Sequence, residues 1–361
     1  MKNKSVLSMV MLFSLCCGSL WNTGCDNGSP SDASDKTQTV TKIQGKTMGT
    51  FYAIKVVGGY KGGEDGLRNL AESCFKEIVD KISTFDKHAE LYRLNEHFST
   101  EPYEISDGLS KIIQDTVYIG HRIENATDIT VGPLVNLWGF GKDKRLEKAP
   151  SDEEVSATLK YVGLDKFELR FDNGKSYLIK SDPHVQIDLA TVGEGLGADA
   201  VAKKLLFEGY QNFMVNVAGA SRSYGVNDKG YKWKVGIEDP TSPAPKVFAP
   251  VCTLDKAVAT AGSYRNFFKD DTTGKVYSHA IDPKTGYPVS HHTLSVTVIA
   301  ESAYEADALD TGLLVLGADK ALLWGRENNY AVATIELVDG KTVFRYTDTF
   351  KPFLDCGAKT N

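Results

Sequence analysis

The basic side chains of this sequence never gather into a block: 41 lysines and arginines are spread among 47 acidic residues, for a formal net charge of -6. A nucleic-acid backbone is neutralised by clustered cations, so nucleic acid is excluded as a partner. Cysteine is scarce, six residues in 361 with no CxxC pair. Cys16 and Cys17 lie in an N-terminal apolar run and Cys25 in a processing site, which leaves Cys74, Cys252 and Cys356. Three widely spaced thiols indicate neither a zinc site nor a disulfide framework. The GxGxxG, P-loop, HExxH and GxSxG patterns are also missing, which removes the familiar dinucleotide, nucleotide, zinc-peptidase and hydrolase sites. Beyond residue 39 there is no Pro/Ser/Gly-rich linker and no repeat, so residues 40–356 read as one continuous domain.

What is present is an ordinary globular balance, 42% hydrophobic and 24% charged, enough to build a sizeable core. The N-terminus is a targeting element. Lys2 and Lys4 precede an apolar run from Ser5 to Trp21, and Asn22-Thr23-Gly24-Cys25 closes it with a small residue before a cysteine. Residues 1–24 read as a lipoprotein signal and Cys25 as the lipidated residue, although Asn22 occupies the place where an aliphatic side chain is usual. An ordinary secretory signal and an anchor helix are the alternatives, and all three place the rest of the chain outside the cytoplasm. Residues 25–39, rich in Asn, Gly, Ser, Asp and Thr, form a flexible tether.

Strand and helix patterns alternate irregularly after the tether. Strands are predicted at Phe51–Val57, Val185–Leu189, Phe213–Val217, Trp233–Ile237, Ala257–Thr260, Leu294–Ala300 and Tyr330–Leu337. Lys166 to Leu178 reads as a hairpin around Asp172-Asn173-Gly174. Helices are predicted over Leu67–Phe85, Leu109–Ile123, Gly193–Tyr210 and Ala303–Gly317. The mixture implies an α+β class, a single large domain with mixed sheets and packed helices.

Within the last of these helices, Glu305-Ala306-Asp307-Ala308-Leu309-Asp310-Thr311 sets a carboxylate and a hydroxyl four residues apart in an apolar run. Residues at that spacing share a helix face, so Asp307 and Thr311 can offer hard oxygens to Mg²⁺. Local capping or pairing by Asp307 is the alternative. Five further segments join glycine to polar residues at element ends, where sites tend to be built: Thr47 to Thr50, Thr127 to Pro133, Asp188 to Gly195, Asn216 to Ala220, and Ser278 to Gly286. The free N-H groups at Gly193 to Gly197 favour an anion. Asp282-Pro283-Lys284-Thr285-Gly286 is also explained as a plain turn.

Taken together and in order, these segments resemble the ApbE-type flavin transferases, also called FAD:protein FMN transferases, over roughly residues 45 to 345. The resemblance is carried by Met48-Gly49-Thr50, Asp128 to Leu134 with Trp138-Gly139-Phe140, Ala259 to Gly262, His279 to Gly286, and Ala306 to Gly317. It implies a Mg²⁺-dependent reaction in which a threonine hydroxyl of an acceptor flavoprotein attacks the FMN-side phosphorus of FAD and AMP leaves. Asp307 and Thr311 would give side-chain oxygens to the metal, and Thr191 a backbone carbonyl. Met48, Thr127, Asp128, Asp188, Glu194 and His279 match positions lining the FAD pocket. His279 is a candidate general base, and Asp310 a further ligand or the base for the acceptor. Ala218-Gly219-Ala220 and Thr260-Ala261-Gly262 depart from the family's usual residues, so an FAD pyrophosphatase, with water attacking, stays open; so does a flavin-binding lipoprotein without chemistry. The resemblance further implies an acceptor in an Rnf- or Nqr-type redox complex, and a lipid-anchored enzyme on the periplasmic side of the bacterial inner membrane.

Overall fold

Eight strands assemble in the order in which the chain makes them: Val40–Thr47, Thr50–Val57, Phe213–Val217, Ala220–Tyr224, Ala257–Gly262, Thr293–Ala300, Ala331–Val338 and Lys341–Tyr346. Each pairs antiparallel with the one before it. The computed structural model describes residues 38–142, 148–264 and 266–357. Cys25, the signal segment and all but the end of the predicted tether lie outside the described residues.

Both faces of this sheet are covered. In the central strand Ala257–Gly262, Val258 joins the core that contains Ile237, Val251, Ile299, Ile335 and Phe350. Its neighbours Ala257 and Ala259 turn the other way, into the helical side of the molecule. Successive side chains of a strand point to opposite faces, so β-branched and small residues in unbroken runs mark a strand buried on both sides. The hairpin Trp233–Glu238/Val247–Thr253 and the C-terminal segment cover the first face. Helices Gly63–Ile82, Asp107–Arg122, Ala190–Phe207 and Ala303–Leu316 cover the second.

Four shorter helices, Glu90–Glu96, Gly132–Leu137, Asp152–Leu159 and Ala318–Glu327, complete the helical set. A three-stranded sheet is built on the predicted hairpin, now Phe167–Asp172 and Lys175–Lys180, with Tyr103–Ile105 on its edge. Every ladder among the described residues is antiparallel, and the α+β class read from the sequence is the class observed. No described helix is long and apolar enough to cross a membrane.

Two expectations are corrected. Val185–Leu189 is extended but joins no sheet, because the Asn95 carboxamide takes the place of a neighbouring strand. Its Oδ1 accepts from Ile187 N at 2.8 Å and its Nδ2 donates to Ile187 O at 2.8 Å. The second is cysteine pairing: an odd count of thiols rules out complete pairing but not one bridge. Cys252 and Cys356 form a disulfide across 104 residues, with Cα atoms 5.1 Å apart, and Cys74 stays free. The bridge staples the C-terminal segment to the hairpin over the first face.

Candidate active site

The site is organised by the crossing of Ala190–Phe207, the glycine-rich helix, with Ala303–Leu316, the carboxylate helix. Gly195 is required there by space: a Cβ on it would lie 2.4 Å from Ala303 O and 2.8 Å from Asp307 Cβ. The close approach lets Gly195 N donate to Asp307 Oδ2 at 2.8 Å. One turn along, Asp199 accepts from Ala303 N at 3.0 Å and Tyr304 N at 2.9 Å. Residues 195 and 199 on one helix thus meet 307 and 303 on the other, an antiparallel register. Continued by one turn, that register sets Thr191 at the level of Thr311. The i,i+4 rows Thr191/Gly195/Asp199 and Ala303/Asp307/Thr311 are the faces in contact.

Asp307 and Asp310 are both buried, 8% and 2% exposed. Burial drives both carboxyls well above the usual carboxylate range, and the acidic neighbours Glu194 and Asp199 for Asp307, and Asp307 and Glu194 for Asp310, push them further. Thr311 donates to Asp310 Oδ1 at 3.1 Å. Thr191 Oγ1 is one of three buried side-chain polar atoms among the described residues that lack a partner. Buried carboxylates repelling one another beside an unsatisfied hydroxyl form a hard-oxygen donor set that fits a divalent cation such as Mg²⁺. No cluster of three or more His, Cys, Asp or Glu side chains suited to a metal occurs among the described residues. A cation here therefore needs hydroxyl, carbonyl, water or substrate oxygens beside the carboxylates, as Mg²⁺ normally takes.

The first hairpin brings Met48 to the same helix. Met48 and Gly49, at φ 48° and 75°, make the two-residue turn between Thr47 and Thr50, whose left-handed φ values suit the twist of the flanking strands. Methionine tolerates that conformation poorly. Its side chain lies against the glycine-rich helix, with Cε 2.9 Å from where a Cβ on Gly197 would be. On the other side of that helix Glu194 Oε2 accepts from Gly219 N at 2.8 Å. Thus Met48, Thr191, Glu194, Asp307, Asp310 and Thr311, drawn from three parts of the chain, are gathered around one helix crossing.

Four other sequence candidates stand further round. Thr127 is buried and donates to Ala308 O at 2.7 Å, lying over Gly312 of the carboxylate helix. Asp128 Oδ1 accepts from Thr130 N at 2.8 Å and Thr130 Oγ1 at 2.5 Å. Burial raises the Asp128 pKa, and its charged neighbours are Asp165 and His121. With these it lines a cleft of ≈ 520 Å³ that also includes Lys284. Asp188 Oδ1 accepts from Ala190 N at 2.8 Å, at the start of the glycine-rich helix, and burial raises its pKa. His279 is exposed, yet desolvation by the surrounding protein lowers its pKa below 6.5. Its Nδ1 lies 3.1 Å from Asn266 O. The His291 ring sits beside Gly317.

Asp199 was passed over in the sequence, while Gly195 was placed at the start of the predicted helix Gly193–Tyr210 without its partner helix. Both were signalled by spacing: Gly195 and Asp199 repeat the four-residue interval of Ala303 and Asp307, and a glycine facing a carboxylate marks a close helix crossing.

The ApbE family pattern matches residues 48–335 of the chain. An FAD:protein FMN transferase of Haemophilus influenzae is 39% identical over 323 residues, 88% of this chain and 93% of its own length. One from Escherichia coli K12 is 38% identical over 340 residues, 94% of this chain and 96% of its own. Among solved structures, the flavin transferase ApbE from Vibrio cholerae superposes with a TM-score of 0.78 at 34% identity, covering 88% of this chain and 99% of that one. The apo form of the Pseudomonas stutzeri flavinyl transferase ApbE does so with a TM-score of 0.78 at 29% identity, covering 89% and 98%. With its fold, its site-bearing segments and nearly its whole described length shared in this way, the chain belongs to the ApbE family, a family of transferase enzymes.

Proposed function

We propose that this chain transfers FMN from FAD to a threonine hydroxyl of an acceptor flavoprotein, with release of AMP, in a Mg²⁺-dependent reaction. The observation that carries the reading is the pair of buried carboxylates, Asp307 and Asp310, whose strongest neighbouring charges are negative, at a crossing beside the unpartnered Thr191 hydroxyl. Thr191, Asp307 and Thr311 would hold the metal. A hard dication bound there supplies neutralisation of the pyrophosphate and of the charge that develops on AMP. The positive end of the glycine-rich helix would favour the negative charge of the phosphates. Met48, Thr127, Asp128, Asp188 and Glu194 line the path of the flavin and adenosine halves.

Two groups can move the proton of the attacking hydroxyl. His279 Nδ1 donates to Asn266 O, which fixes the tautomer and leaves the Nε2 lone pair to accept. Its lowered pKa keeps the imidazole neutral at pH 7. Asp310 Oδ1 is taken by Thr311, so its second oxygen is the one available. We assign the base to His279 and orientation of Thr311 to Asp310.

The same proposal places the chain on the periplasmic side of the inner membrane, lipid-anchored through Cys25, with the acceptor a subunit of an Rnf- or Nqr-type redox complex. The Cys252–Cys356 bridge supports an oxidising compartment. The test is incubation of the full chain with FAD and Mg²⁺, with and without such an acceptor, following AMP and the flavin that stays on the denatured acceptor. AMP together with a fluorescent acceptor is the expected result. AMP and free FMN without an acceptor would replace transfer by pyrophosphate hydrolysis, and flavin binding with no AMP would remove the catalytic reading.

A further inference from the structure

The geometry points to Asp199 as a positioning residue that sets the metal affinity of the site by fixing the carboxylate helix from outside it. The inference rests on the proposed Mg²⁺ reading. A helix leaves its first four N-H groups without an internal partner. In the carboxylate helix Ser302, the residue at its start, satisfies only Glu305 N, at 3.1 Å. The N-H groups of Ala303 and Tyr304 are taken instead by the two oxygens of Asp199, at 3.0 and 2.9 Å. The cap is supplied by the neighbouring helix, and with both oxygens engaged the carboxylate has one orientation. Its negative charge also meets the positive end of the helix dipole.

This contact does more than end a helix. Asp199 lies one turn from Gly195 on the same face, and Ala303 one turn from Asp307 on the other. Hydrogen bonds run both ways across the crossing: Gly195 N to Asp307 Oδ2, and Ala303 N and Tyr304 N to Asp199. Together they define the axial offset of the two helices. That offset determines where the Asp307 carboxylate stands relative to Thr191. The rest of the first turn is held by bonds of other origin. Tyr304 Oη lies 2.7 Å from Thr116 Oγ1, and Arg122 reaches Glu305 Oε1 at 3.4 Å. These fix the helix laterally against Asp107–Arg122, whereas Asp199 ties its first turn to the glycine-rich helix. Metal ligands have to be held to about 0.5 Å, and removing a residue that orients a ligand typically costs 10–100-fold in metal affinity.

The test is titration of the full chain with Mn²⁺ in the absence of FAD, with free Mn²⁺ followed by its paramagnetic resonance signal, alongside thermal melts of the metal-free proteins. Asp199→Ala is expected to weaken Mn²⁺ binding about 10-fold or more. Asp199→Asn, which keeps the shape and one accepting oxygen, is expected to fall between it and the wild type and covers the case in which the alanine variant does not fold. In turnover, half-saturating Mg²⁺ rises while the rate at saturating Mg²⁺ returns close to that of the wild type. Asp307→Ala serves as the control that abolishes binding. Wild-type Mn²⁺ affinity in a folded Asp199 variant, even one with a lowered melting temperature, would overturn the proposal alone and leave a purely structural cap. A wild-type chain that takes up no Mn²⁺ overturns the metal reading and this inference with it.

Discussion

Ala218 shows most directly how single residues carry strain at this site. It sits at φ 44°, a left-handed conformation that costs a residue with a Cβ of the order of 1 kcal/mol or more. It is held there because its N-H donates to Phe51 O at 2.9 Å while the next amide, Gly219 N, donates to Glu194. Ala218→Gly should therefore raise stability by about 1 kcal/mol in urea denaturation, and a variant less stable than the wild type would show that Ala218 is not strained. Asp307→Ala should lower Mg²⁺-dependent turnover by about 10³-fold, the scale on which a metal stabilises transition-state charge; unchanged AMP release would remove the metal assignment. As the proposed base, His279 would work only when neutral, and desolvation by the surrounding protein lowers its pKa below 6.5. The acid limb of kcat/KM should accordingly fall below pH 6.5, and His279→Gln should lose both that limb and most of the rate, about 10²-fold.

Elements were legible where periodicity and burial coincide. Phe213–Val217 alternates fully buried and half-buried residues, and the core faces of Ala303–Leu316 and Asp107–Arg122 recur at helical spacing. Elements without such a signal were missed. The edge strand Val40–Thr47, with its Thr, Lys, Gln and Gly, has little apolar content to announce it. Of the candidate site, Asp307 and Thr311 were legible because the spacing lies within one helix, whereas the matching interval of Gly195 and Asp199 lies on another helix, and only the fold shows that the two cross. The turn of the hairpin Phe267–Lys269/Val276–Ser278 also escaped notice, because it depends on one carboxylate. Asp270 accepts from Ala149 N at 2.8 Å, from Thr272 N at 2.9 Å and from Thr273 N at 2.6 Å. These bonds, that from Ala149 N foremost, hold its pKa at about 2, below its ordinary 3.8. A lowered carboxyl pKa contributes stability that is complete above 3.8 and is lost as pH falls toward 2. Asp270→Asn should be less stable than the wild type at neutral pH, with the difference closing across that acid window in pH-dependent thermal melts.

For the whole molecule the disulfide and the sheet order matter most. Closing a loop of 104 residues constrains the unfolded chain by about 4.7 kcal/mol in the entropic picture. Reduction, or Cys252→Ala with Cys356→Ala, should lower the stability of the chain by roughly that amount in urea, while FAD binding by the remaining folded protein is unchanged. A reduced protein as stable as the oxidised one would contradict this. The sheet order has its own consequence. The hairpin Val40–Val57 has no second neighbour until Phe213–Val217 is made, and residues 58–212 intervene. A lone two-stranded hairpin is marginal in water, so the Met48 turn gains its rigid support only when the later strand docks beside it. A chain that emerges from its N-terminus therefore carries the early part of the proposed flavin site as an unfinished edge, exposed to pairing with other chains. If Met48 lines the flavin site as proposed, flavin would be captured only by a molecule that has completed its sheet, and binding itself would report that folding is finished.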